Sequence, residues 1–120
     1  MASRATDART TAVACLESWS SGDFDGTRTL LADDVTFLGP LGSTTGGDEY
    51  VEGVRGLAQI VDHIEIRAAT VDDDGNVAIL YDLVTKPAGP IPTVGWYEVR
   101  DGLVRSVRAF FDPRPLLDAG

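Results

Sequence analysis

The sequence predicts an α+β domain, with helices gathered in the first half of the chain and a run of antiparallel strands in the second. Three observations carry this. The apolar residues of "TDARTTAVACLESWSSG" and of "DEYVEGVRGLAQIVD" recur every three to four positions, the period of a helix with one buried face. From His63 onward the pattern changes to strict alternation, in "HIEIRAATV" and "VAILYDLVTK". Near the end, "TVGWYEVR" and "LVRSVRAFF" are joined by Asp101-Gly102, a residue pair suited to a two-residue hairpin turn.

Taken in order, the first helix runs from about Thr6 to Ser20. Ala12, Cys15, Leu16 and Trp19 share its apolar face, and Gly22 stops it. "DFDGTRTLLADD" reads as a short second helix with Asp23 as its N-cap. "VTFLG" is a short strand closed by Pro40, and "STTGG" is a loop. The third helix presents Tyr50, Val51, Val54, Leu57 and Val61 on one side. Gly53 and Gly56 inside it each cost about 1 kcal/mol relative to alanine, which implies close packing or local irregularity there. "DDDGN" is a turn between two strands and "PAGPIP" a loop between the next two. The tail "DPRPLLDAG" leaves the sheet at Pro113.

The chain has 120 residues, enough for one domain with one core. Its 43% hydrophobic content suits a globular protein. A formal net charge of -9 argues against nucleic acid and against anionic membrane surfaces as partners. Cys15 is the single cysteine, so no internal disulfide forms and a reducing cytoplasm is the expected location. No apolar run reaches the length of a membrane span, and the N-terminus lacks the pattern of a signal peptide.

Motifs for several common chemistries are missing. A single histidine, His63, leaves no multi-histidine metal site, and no metal or cofactor is expected. "GPLGSTTGG" has the glycines of a phosphate loop but not its lysine. In "TVDDDGNVAILY" the last ligand position of a calcium hand falls on Tyr81. There is no GxSxG elbow.

The helix carrying "SSGDFDGTRTLLADDVTFLGPLGS", the helix after "TGG" and the ending "WYEVRDGLVRSVRAFFD" together resemble the nuclear transport factor 2-like superfamily, in its SnoaL-like and ketosteroid isomerase-like branch. The resemblance spans about Ala5 to Leu116. It implies a strongly curved antiparallel sheet wrapped around three helices, a cone with a deep apolar pocket, and a homodimer. Members of the superfamily include isomerases, polyketide cyclases, dehydratases and epoxide hydrolases, and others only bind or scaffold. The pocket's own residues must therefore decide the chemistry.

Residue by residue, the resemblance removes the known catalytic sets. Ketosteroid isomerase needs an aspartate base, a tyrosine donor and a neutral aspartic acid. The matching positions are Gly39, Cys15 and one near Gly95. The acid of the SnoaL-type cyclases matches Ala109. The epoxide hydrolases use an Arg and an Asp two residues apart on one strand, and Asp82 has the wrong parity for the inner face of "VAILYDLVT", whose inward positions are Ile79, Tyr81, Leu83 and Thr85.

The expected pocket is mostly apolar. Trp19, Phe37, Val54 and Leu57 line it from the first part of the chain, and Ile79, Leu83, Val107, Ala109 and Phe111 from the strands. Cys15, Tyr81 and Tyr97 are its polar groups, with Arg55 within reach. Tyr81 and Tyr97 either donate hydrogen bonds to a ligand carbonyl or are core tyrosines. Cys15 reads as a small buried hydrophobe, Arg55 as a solvated helix residue and Asp112 as a rim or structural acid, their catalytic roles being the alternatives. Trp96, Glu98, Arg108 and Phe110 share the opposite parity and form the expected dimer face. Three functions stay open: a pocket protein for a polyketide-, steroid- or terpene-like molecule, an isomerase, cyclase or hydratase using Tyr81, Tyr97, Arg55 or Asp112, and an interaction module whose cone is filled by its own side chains.

Overall fold

A computed structural model describes residues 4–119. Helix α1 (Arg4–Ser20) lays Ala8, Ala12, Cys15, Leu16 and Trp19 into the core, all of them almost fully buried. Helix α2 (Phe24–Thr29) starts where the sequence places its cap, with Asp23 Oδ1 accepting from the Gly26 N–H at 2.9 Å. Thr27, fully buried, ties α2 back to α1 through Ser18 Oγ at 2.6 Å.

Strand β1 (Leu31–Gly39) begins four residues before the "VTFLG" expected, because Leu31 and Ala32 are pulled into the core as strand residues rather than as the end of α2. The segment read as the loop "STTGG" supplies a strand of its own, β2 (Gly42–Thr45), paired with β1 through Phe37 and Thr44. Helix α3 (Gly47–Ala58) is shorter than its periodicity suggests. Val61, expected on the helix, opens β3 (Val61–Val71) opposite Thr85, and the Ile60 carbonyl accepts from the Lys86 N–H at 2.8 Å. Sheet pairing thus overrides a helical pattern already weakened by two glycines.

Strands β4 (Asn76–Thr85), β5 (Gly89–Arg100) and β6 (Leu103–Phe110) complete the sheet. Asp101 and Gly102 both take positive φ, 55° and 74°, as the tight hairpin between β5 and β6 requires. The expected loop "PAGPIP" is mostly strand. Pro90 and Pro92 pair with Val84 and Asp82 on β4, while β6 reaches only to Val94, so the prolines sit where β5 has no second neighbour and their missing N–H costs nothing. The tail forms a further helix, α4 (Arg114–Ala119), capped by Asp112 Oδ1 accepting from the Arg114 N–H at 3.0 Å.

The six strands run β2-β1-β6-β5-β4-β3 in one sheet. It is mixed rather than wholly antiparallel: β1 pairs parallel to β6, with Phe37 opposite Val107. Bulges in β1, β3 and β6 break the register and bend the sheet around α1. Side chains from α1 meet Ile79, Tyr81, Leu83, Tyr97 and Val107 in a single core. Among the described residues no helix is long and apolar enough to cross a membrane.

Candidate functional site

The β1–β2 hairpin and α3 do not close on each other, and a cavity of about 430 Å³ opens between them. Phe37 on β1 and Tyr50 on α3 form its inner wall, their rings edge to face with centroids 5.8 Å apart. Val54, Leu57, Gly53 and Gly56 bring the side of α3, and Ile60 follows it. Thr44, directly across from Phe37, stands on the β2 side with Ser43 and Gly42. Gly39, Pro40 and Leu41 form the hairpin tip, and Phe111 comes in after β6. The lining has no carboxylate, imidazole, amine or guanidinium.

Tyr50 is the only titratable group on these walls, and burial pushes its hydroxyl well above its ordinary range. It is therefore a neutral phenol at any working pH. Behind it, burial raises the Cys15 thiol to about 12, against a smaller opposing effect of its hydrogen bond with Tyr50. A thiol so placed is neither a nucleophile nor a base.

Phe37, Val54, Leu57 and Phe111 line this cavity. The other residues expected around a pocket lie elsewhere. Cys15, Trp19, Ile79, Leu83 and Val107 are packed in the closed core, as are Tyr81 and Tyr97, whose hydroxyls burial also raises above the ordinary range. The physical reason is volume. The apolar face of α1 lies across β3 to β6, and the large side chains of both layers occupy the cone's depth. Ala109 borders an adjoining surface depression with Leu38 and Phe110, which shares Gly39, Pro40 and Phe111 with the cavity.

Arg55 does not enter the cavity; its guanidinium lies 4.5 Å over the Phe24 ring and 3.5 Å from Glu52. Asp112 is exposed and held by the Arg114 guanidinium at 2.7 Å, which lowers its pKa. Asp82 points away from the core, as its parity requires, and accepts from Arg67 at 2.6 Å. His63 is exposed beside Asp62.

Gly39, at a matched acid position, and Gly95, near the other, are covered as well as bare. A Cβ on Gly39 would stand 2.9 Å from Phe37 Cζ, and one on Gly95 would stand 2.7 Å from Tyr97 Cε1. Each aromatic ring lies over the glycine two residues away on its own strand, filling space that a carboxylate would need. Of the cavity residues missed from the sequence, Ser43 and Thr44 were legible only as part of the loop "STTGG". Gly53 and Gly56 were noticed for their cost in a helix, and what they adjoin is open space more than close packing: a Cβ on Gly56 meets nothing within 4 Å.

Residues 12–107 match the family model described as the SnoaL-like domain. No curated protein sequence matches the chain. Among solved structures, a protein from Kribbella flavida is 26% identical, with a TM-score of 0.88 over 95% of this chain and 93% of that one. An NTF2-like protein of unknown function from Cytophaga hutchinsonii is 22% identical, with a TM-score of 0.80 over 92% and 94%. An LEH-like epoxide hydrolase from M. tuberculosis is 22% identical, with a TM-score of 0.79 over 96% and 90%. The last two likenesses concern the fold.

Proposed function

We propose that this chain, which belongs to the SnoaL-like domain family, binds an apolar small molecule of polyketide, steroid or terpene type at the mouth of its cone, without ketosteroid isomerase chemistry. One observation carries the reading: a cavity of about 430 Å³ whose walls are almost wholly apolar and whose one titratable group is a neutral tyrosine. That volume lies within the range of pockets that enclose small ligands. Gly39 and Gly95, which stand at and near the matched acid positions of the isomerases, lie under aromatic rings, and the Arg67–Asp82 pair faces outward, away from any inner site of epoxide-hydrolase type. Native mass spectrometry of protein purified from its source tests the reading directly. A retained molecule of a few hundred daltons is expected. A bare protein that also fails to bind any of a panel of steroids, aromatic polyketides and terpenoids would favour a purely structural module.

The same reading includes a cytoplasmic homodimer joined through the outer face of the sheet. Leu80 and Phe110 are 45% and 56% exposed there, and Val94 and Trp96 lie among them. Glu98 and Arg108 stand on this face without an ion-pair partner among the described residues. Opposite charges on one apolar patch are self-complementary under a two-fold axis, Glu98 of one copy meeting Arg108 of the other. Sedimentation equilibrium is expected to show a dimer, Glu98→Arg to dissociate it, and Glu98→Arg with Arg108→Glu to restore it. A monomer at micromolar concentration refutes the interface.

A further inference from the structure

Buried threonine hydroxyls in this fold are satisfied. Thr27 Oγ1 donates to the Asp23 carbonyl at 3.1 Å, Thr85 Oγ1 to the Gly89 carbonyl at 2.9 Å and Thr93 Oγ1 to the Ile91 carbonyl at 3.0 Å. Thr44 breaks the pattern. Its Oγ1 is the one buried side-chain oxygen or nitrogen among the described residues that has no hydrogen-bond partner. Thr44 is also the one of these four threonines that borders the cavity. A buried hydroxyl without a partner is a standing cost, and folded proteins rarely keep one that has no use.

The side chain is set to gain a partner at little expense. The Thr44 methyl, Cγ2, is the atom nearest to a Cβ built on Gly53, at 3.7 Å, and Gly53 also borders the cavity. The methyl therefore faces α3. One staggered step about Cα–Cβ brings the hydroxyl to the position the methyl now holds. No hydrogen bond is broken by that step, because none is made. The rest of the wall supplies apolar contact and no charge.

We infer that Thr44 is the hydrogen-bonding anchor of the cavity, and that the ligand class is a neutral, ring-sized, mainly apolar molecule carrying a carbonyl oxygen to which the Thr44 hydroxyl donates. This rests on the cavity being a binding site, as proposed above. It narrows that reading from any apolar molecule to carbonyl compounds such as ketones and quinones. It also assigns recognition to the β2 strand, and not to the core tyrosines Tyr81 and Tyr97.

The test uses the full chain and two rigid probes of one shape, fluorenone and its parent hydrocarbon fluorene, titrated by calorimetry or ligand-observed NMR against the native protein, Thr44→Val and Thr44→Ser. The native protein is expected to favour fluorenone over fluorene by about fivefold more than Thr44→Val does, the worth of one net hydrogen bond. Thr44→Ser should keep the preference. Thermal melts of the free proteins give a second readout: Thr44→Val should match or exceed the native melting temperature, since it deletes an unpaired hydroxyl. A preference identical in native and Thr44→Val protein overturns the anchor and leaves the cavity reading standing. Failure of both probes to bind the native protein overturns the cavity reading itself. A Thr44→Val melt several degrees below the native one shows a partner for the hydroxyl in the free protein and also overturns the inference.

Discussion

Gly56 separates what the helix needs from what the cavity needs. It lies on the exposed side of α3, inside the helix, and a Cβ placed there meets no atom within 4 Å. Alanine in a helix interior is favoured over glycine by about 1 kcal/mol, partly through the lower entropy of the unfolded chain. With nothing to clash, Gly56→Ala should realise most of that, and for a domain of this size about 1 kcal/mol raises the melting temperature by roughly 4 °C. Gly56→Leu keeps most of the helix gain but directs a four-carbon side chain into the opening that Gly56 borders. Binding of fluorenone should then weaken by about tenfold or more, the equivalent of about 1.4 kcal/mol. Scanning calorimetry reads the first effect and ligand titration the second. A lower melting temperature for Gly56→Ala would mean that the backbone itself demands glycine. Unchanged ligand binding by a folded Gly56→Leu protein would mean that the cavity is not where the ligand sits. A variant that is both more stable and unable to bind would place Gly56 among residues kept for function at some expense in stability.

Two further outcomes follow from the core. The Cys15 thiol stays protonated in the folded state up to about pH 12, whereas an unfolded thiol ionises near its ordinary value of 9.0. The unfolded state therefore loses its proton first, and stability should fall as pH rises from about 9 towards 12, by at most about 1.4 kcal/mol per pH unit for this one group. Urea midpoints measured across that range should show a shallower fall in Cys15→Ala than in the native protein, and parallel profiles would contradict the burial. At Gly39, a carboxylate cannot enter without displacing the Phe37 ring 2.9 Å from the new Cβ. Gly39→Asp alone should give no isomerisation of a β,γ-unsaturated ketone and should destabilise the fold by about 1–3 kcal/mol through overpacking; turnover by that single variant would show that the ring yields freely.

What the sequence by itself determined is local and periodic. The apolar stripe of α1, the Asp23 cap, the Asp101-Gly102 hairpin and the inward parity of Ile79, Tyr81 and Leu83 each follow from residues a few positions apart, and each is where its pattern puts it. The order of elements with its quoted motifs was enough to indicate the SnoaL-like fold, whose family model spans residues 12–107. Tertiary structure decided what depends on distant partners. Val61 left a helical pattern because Thr85 offered a strand to pair with, and Pro90 and Pro92 joined β5 because β6 stops short of them. It also decided which inward residues meet each other and which meet open space. Parity says that Trp19, Tyr81 and Tyr97 point inward, but whether the inside is a cavity depends on how much volume two facing layers bring to it. Here α1 and the sheet fill the depth, and the space remains where glycines on α3 and a short hairpin bring too little side chain to close it.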